Sequence, residues 1–185
     1  MKIGWIGTGV MGASMAGHLQ TAGHSLRIYT RSRDKAAALL DGGAIWCDTP
    51  AAVAADSETV FTIVGFPEDV REVYLGAEGI LSADGPCRII VDMTTSQPAL
   101  AVEITQSAKA RGIASLDAPV SGGDIGARNA GLAIMVGGDQ AAYEQILPLF
   151  ELMGKTIALM GEAGAGQHTK MCNQILIAGT MIGCC

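Results

Sequence analysis

Three groups of residues have the types and spacing to do chemistry. The first is Gly7-x-Gly9-x-x-Gly12, which follows an apolar run at 3–6 and leads into Ala13, Met15, Ala16 and Leu19 at helical spacing. A strand, a glycine turn and a helix in that order suit a dinucleotide. Gly7 permits the tight turn, Gly9 admits a pyrophosphate to the backbone, and Gly12 lets helix and strand pack closely. The helix start adds unpaired N–H groups and the positive end of its dipole. Gly7, Thr8, Gly9, Val10, Met11 and Gly12 therefore form the candidate phosphate-binding turn, a reading that this context favours over an ordinary glycine-rich turn. The second group is Leu116-Asp117-Ala118-Pro119-Val120-Ser121-Gly122-Gly123. Ser121, Gly122 and Gly123 expose several N–H groups and a hydroxyl, a set that can hold a carboxylate against a nicotinamide; the plainer reading is a turn between two elements. The third group is Lys170, Asn173 and Gln174, spaced i, i+3 and i+4 and so on one helix face. A partly buried lysine can shift its pKa and serve as a general acid/base, whereas a lysine at a helix end can equally face solvent.

Coenzyme choice rests on the end of the second strand, 24–29. The chain there reads Tyr29-Thr30-Arg31-Ser32-Arg33, with no carboxylate before Asp34. An NAD site places an Asp or Glu near this point to take the ribose 2′-OH. A guanidinium, from Arg31 or Arg33, pairs instead with a 2′-phosphate. The reading favours NADP over NAD, with Thr30, Arg31 and Ser32 as contacts; the alternative leaves both arginines as solvated charges at a helix start. The strand at 58–64 ends in Gly65-Phe66-Pro67, so Val64, Phe66 and Pro67 are candidates to face the nicotinamide half, and Pro67 also suits a first helical turn. Past the strand at 88–91, a hydroxyl run precedes Pro98. It can cap the next helix or bind ribose, and Thr95 is the candidate contact.

These groups must be positioned by the elements between them. Strand-like runs at 3–6, 24–29, 44–46, 58–64, 88–91, 114–118, 132–136 and 156–160 alternate with helical ones at 33–40, 50–54, 68–74, 98–111 and 140–153. That alternation predicts an α/β fold, a Rossmann-like doubly wound and mostly parallel sheet over 1–162, with 163–185 starting a long interdomain helix. In 185 residues, 25 glycines and 49% apolar content with only 4% aromatic fit an alanine- and glycine-rich α/β protein. A net charge of -6 lacks the basic footprint of nucleic-acid or acidic-membrane binding, which favours small-molecule partners. The five cysteines show neither C-x-x-C nor Cys/His metal spacing and read as reduced packing residues, with no metal site. No segment reaches the apolar length of a membrane span, and Gly7, Gly9 and Gly12 interrupt the first apolar run before a signal segment forms. A cytoplasmic location is the default.

Four motifs in order, GWIGTGVMG at 4–12, VDMTTSQP at 91–98, DAPVSGG at 117–123 and GQHTKMCNQ at 166–174, resemble the β-hydroxyacid dehydrogenase family. That family includes 3-hydroxyisobutyrate dehydrogenase, tartronate semialdehyde reductase and the cofactor domain of 6-phosphogluconate dehydrogenase. The resemblance implies NADP-dependent hydride transfer between a small β-hydroxyacid and its semialdehyde. It further implies Lys170 as general acid/base, Ser121, Gly122 and Gly123 as holders of the substrate carboxylate, and Asn173 as the group that orients the substrate. Gln174 stands where the family often has a second Asn, and Thr30-Arg31 is similar to NADP-preferring members. Family members continue into a further helical domain, so this chain is expected to be a fragment, inactive alone and a homo-oligomer at full length. Its final stretch, with Ile175, Leu176, Ile177, Met181 and Ile182, is expected to be frayed, disordered or packed on another copy. A non-catalytic NADP-binding module stays open, as does an imine reductase-like enzyme, although imine reductases usually replace the lysine.

Overall fold

Short apolar runs, such as Val60-Phe61 after Glu58 and Ile89-Ile90-Val91 before Asp92, fold into the strands of one sheet. The computed structural model describes residues 1–185. The first half holds β1 (Lys2–Ile6), α1 (Gly12–Thr21), β2 (Ser25–Tyr29), α2 (Ala37–Asp41), β3 (Ile45–Trp46) and α3 (Pro50–Ala55). β4 (Thr59–Thr62), α4 (Pro67–Leu75), β5 (Ile89–Asp92), α5 (Pro98–Lys109) and β6 (Ala114–Asp117) follow. The chain continues through β7 (Val120–Ser121), α6 (Gly123–Arg128), β8 (Leu132–Gly138), α7 (Gln140–Phe150), β9 (Gly154–Gly161) and α8 (Ala165–Cys184). Local chemistry sets several starts: Pro50, Pro67 and Pro98 open their helices, and the Asp139 carboxylate accepts the Ala142 N–H at 2.9 Å to cap α7.

The sheet runs β3-β2-β1-β4-β5-β6-β8-β7, with β9 on the other edge of β8. Its first six strands are parallel, in the doubly wound order 3-2-1-4-5-6. Such strands are covered on both faces. Ile3, Trp5, Phe61, Ile89 and Val91 pack against α1, α2 and α7, while Ile6, Val60 and Ile90 pack against α3, α4 and α5. Trp5 stacks on Phe61 at 5.6 Å, and Phe61 meets Phe150 edge-on at 6.2 Å. Because the strand order reverses at β1, running out to β3 on one side and to β6 on the other, a crevice opens between the loops that follow β1 and β4.

Three expectations are corrected. The helix expected at 33–40 begins as a 3-10 turn, Arg33–Ala36, before α2. The stretch from Ala118 to Gly123 is not a plain turn. β6 and β7 pair with β8 in one antiparallel register, Asp117 opposite Gly137 and Val120 opposite Ile134, so the backbone stays extended as far as Ser121. Gly122 and Gly123 then take positive φ values of 132° and 61° and turn the chain into α6. Last, α8 is a regular helix as far as Cys184, neither frayed nor disordered, and within this chain Ile175, Leu176, Ile177, Met181 and Ile182 are exposed. No helix is long and apolar enough to cross a membrane.

Candidate functional site

The glycine turn after β1 forms the floor of a cleft of ≈ 680 Å³. Gly7 sits at φ 96°, where a side chain would run into the Ile63 carbonyl; a Cβ on Gly9 would meet nothing within 4 Å. Met11 offers α1 no side-chain cap, and of the first-turn N–H groups that of Ala13 bonds the Gly9 carbonyl at 3.1 Å. An open approach at Gly9 beside an uncapped helix start fits a pyrophosphate. Of the residues expected to touch the coenzyme, Gly7, Gly9, Val10, Met11, Gly12, Thr30, Arg31, Ser32 and Val64 line this cleft. Thr8 lies buried behind the turn, its hydroxyl without a protein partner. Phe66 is exposed at the start of α4, Pro67 opens that helix, and neither lines the cleft.

The two arginines part company. Arg33 lies over the Trp46 ring, 5.1 Å from its centroid, and is absent from the cleft wall. Arg31 reaches across from the end of β2 to α4, donating from Nη1 to Asp69 Oδ1 at 3.0 Å. Lys35 joins it on the wall.

The hydroxyl run after β5 also divides. Thr95 is exposed, whereas Thr94 is buried, its Oγ1 accepting the Val64 N–H at 3.0 Å and its N–H going to Asp92 Oδ1 at 3.0 Å. Asp92 also takes the Thr62 hydroxyl at 3.0 Å, and Thr62 meets the Tyr74 hydroxyl at 2.7 Å. Burial pushes the Asp92 carboxyl up to about 6, against the hydrogen bonds from Thr94 and Thr62. Between its ordinary 3.8 and about 6 the folded chain therefore holds more protons at this site than the unfolded one. Stability from Asp92 is present at low pH and is lost as pH rises through that window, by about 3 kcal/mol. Asp92→Asn is expected to unfold with a shallower fall in stability between about pH 4 and about pH 6, measured by urea titration; an unchanged slope would remove Asp92 as its source.

α8 is fixed to the sheet by contacts at its first turn. Asp117, the cross-strand neighbour of Asp92, accepts the N–H groups of Gly164 at 2.7 Å and Gln167 at 2.9 Å. Gln167 is 2% exposed and clamps the loop after β5, accepting the Ser96 N–H at 2.8 Å and donating to the Thr94 carbonyl at 2.7 Å. Neither side chain stands out in the sequence as a site residue, although an acid at a strand end and an amide in a first helical turn are the visible signals.

One turn past Gly166, on the same stripe of α8, stands Lys170. It is 7% exposed, no carboxylate of this chain lies within salt-bridge reach, and its Nζ donates to Gln174 Oε1 at 2.8 Å. Burial lowers its pKa. Asn173 donates from Nδ2 to the same Gln174 oxygen at 3.2 Å and to Ser121 Oγ at 3.4 Å. The extended strand through Ser121 thus brings the second and third chemical groups together. They can offer a proton donor, amide donors and a hydroxyl to one small polar molecule. No group of three or more His, Cys, Asp or Glu side chains stands together in a way that could hold a metal.

The family described as the NAD binding domain of 6-phosphogluconate dehydrogenase matches residues 2–161. A probable mitochondrial 3-hydroxyisobutyrate dehydrogenase-like protein of Arabidopsis thaliana is 52% identical over 183 residues, 98% of this chain and 54% of its own length. The 2-hydroxy-3-oxopropionate reductase of Escherichia coli is 43% identical over 178 residues, 96% of this chain and 61% of its own. The structure of Mycobacterium tuberculosis 3-hydroxyisobutyrate dehydrogenase with L-serine superposes with a TM-score of 0.91 at 34% identity, covering 98% of this chain and 62% of that one. An imine reductase of Streptomyces aurantiacus, 21% identical with a TM-score of 0.88, shares the fold. The chain spans less than two thirds of each of these proteins.

Proposed function

The chain belongs to the family of the NAD binding domain of 6-phosphogluconate dehydrogenase, and from that premise we propose that it forms the coenzyme half of an NADP-preferring oxidoreductase. Its reaction interconverts a small β-hydroxyacid and its semialdehyde. The observation that carries this reading is the buried Lys170, free of any carboxylate and set beside Asn173 and Ser121. The hydroxyacid relatives support the substrate class.

When bound, a nicotinamide coenzyme supplies or accepts the hydride. The turn Gly7 to Gly12 would hold its pyrophosphate, and Arg31 its 2′-phosphate. The N–H groups and hydroxyl of Ser121, Gly122 and Gly123 fix the substrate carboxylate, and the Asn173 amide orients the substrate. In reduction the Lys170 ammonium gives its proton to the carbonyl oxygen; in oxidation the neutral amine takes the hydroxyl proton back. Burial favours this exchange, because a lysine lowered from its ordinary 10.5 loses its proton more readily.

Calorimetric titration with NADPH and NADH tests the coenzyme assignment. Wild-type chain is expected to bind NADPH more tightly, and Arg31→Ala to weaken NADPH by about tenfold more than NADH, the scale of one lost charge-assisted hydrogen bond. An equal loss for both coenzymes would defeat the role of Arg31. Turnover of small semialdehydes by the intact protein, followed by coenzyme absorbance, tests the substrate class, and no turnover with any of them would defeat it.

A further inference from the structure

Arg31 is not idle in the cleft. Its guanidinium is three-quarters exposed, yet it is turned onto the Asp69 carboxylate 3.0 Å away. That carboxylate is itself anchored, since its second oxygen accepts the Phe66 N–H at 3.1 Å at the start of α4. It cannot follow the guanidinium elsewhere without uncapping the helix. Asp69, Glu72 and Glu78 line the cleft against only Arg31 and Lys35, so the wall carries an excess of negative charge. β2 ends without the acid that would take a ribose 2′-OH; Asp69 brings one to the same place from the opposite wall.

We propose that Asp69 is a specificity-determining residue for the coenzyme, competing with the 2′-phosphate for Arg31 and so narrowing the preference for NADPH over NADH. The inference rests on the reading that Arg31 meets that phosphate. A dianionic phosphate must draw the guanidinium off a fixed carboxylate and tolerate that carboxylate beside it. An uncharged 2′-OH meets neither cost and can donate to the carboxylate.

The test is calorimetric titration of Asp69→Asn with NADPH and with NADH. Asparagine keeps an oxygen for the Phe66 N–H and removes the charge; Asp69→Ser, which also keeps an acceptor, is the second variant should the first lose stability. Expected is an affinity gain for NADPH of about three- to tenfold, the scale of an exposed ion pair released together with a like charge removed, and none for NADH. In an Arg31→Ala background the gain should shrink to the part that comes from removing a like charge. Equal gains for both coenzymes, no gain, or a gain undiminished without Arg31 would overturn the proposal. Failure of the Arg31 reading looks different: Arg31→Ala alone would then cost the two coenzymes equally.

Discussion

Lys170→Met, in the intact protein, is expected to bind coenzyme as the wild type does and to lose about 10³-fold in turnover, within the range for a removed general acid/base. The two effects separate because Lys170 takes no part in building the cleft, whose walls come from the loops after β1, β2 and β4 and from α4. Nor does it hold α8 in place; Asp117 and Gln167 do that. Methionine fills the space of the lysine stem and carries no charge into a site that is 7% exposed. The folded wild-type chain binds fewer protons at Lys170 than the unfolded chain does in the window below the ordinary 10.5. Its stability from this group is therefore lowest at neutral pH and is regained as pH rises through that window. The methionine variant should be at least as stable as wild type near neutrality and lack the alkaline gain. A variant that keeps its turnover would show that another group moves the proton. One that loses turnover and coenzyme binding together would place Lys170 among the structural residues.

What the sequence made legible follows from how local each signal is. The strand at β5 reads as Ile89-Ile90-Val91-Asp92, and a parallel strand covered on both faces needs only such an unbroken apolar run. β7 was not legible, because Pro119 and the paired glycines resemble a turn and the pairing that keeps the backbone extended comes from β8, beyond the next helix. Thr94 and Thr95 are neighbours of one residue type; the geometry leaving β5 buries the first and exposes the second, and the sequence alone pointed to Thr95. Arg31 was visible as a charge, but its partner Asp69 stands 38 residues away. Asp117 is likewise visible, while the N–H groups it serves lie 47 and 50 residues on. The end of α8 differs again: Ile175, Leu176, Ile177, Met181 and Ile182 read as a stretch without burial, and the helix runs regularly through them to Cys184.

Gly166→Ala is expected to cost about 2–4 kcal/mol from overpacking and from donors pulled off a buried carboxylate. A Cβ at Gly166 would strike the Met135 carbonyl and would lie 2.6 Å from the Asp117 carbonyl oxygen and 2.8 Å from Asp117 Oδ2. Two of these atoms are backbone in the sheet and cannot swing aside, so the first turn of α8 must lift. Lifting it stretches the bonds from Gly164 and Gln167 to the Asp117 carboxylate, which at 3% exposure is shut off from the solvent that could replace them. Burial already raises the Asp117 pKa against those two N–H bonds, so weakening them should raise it further and draw a proton into the sheet. Lys170 and Asn173 ride on the same helix and move with it, away from Ser121. Urea unfolding should report the loss as a lower midpoint at unchanged slope, while coenzyme titration, which reads a cleft joined to α8 only through the Gln167, Thr94 and Val64 bonds, falls far less than turnover. Wild-type stability in the alanine variant would mean that sheet and helix yield at this contact, and the placing of Lys170 would then have to be sought in the Gln167 clamp alone.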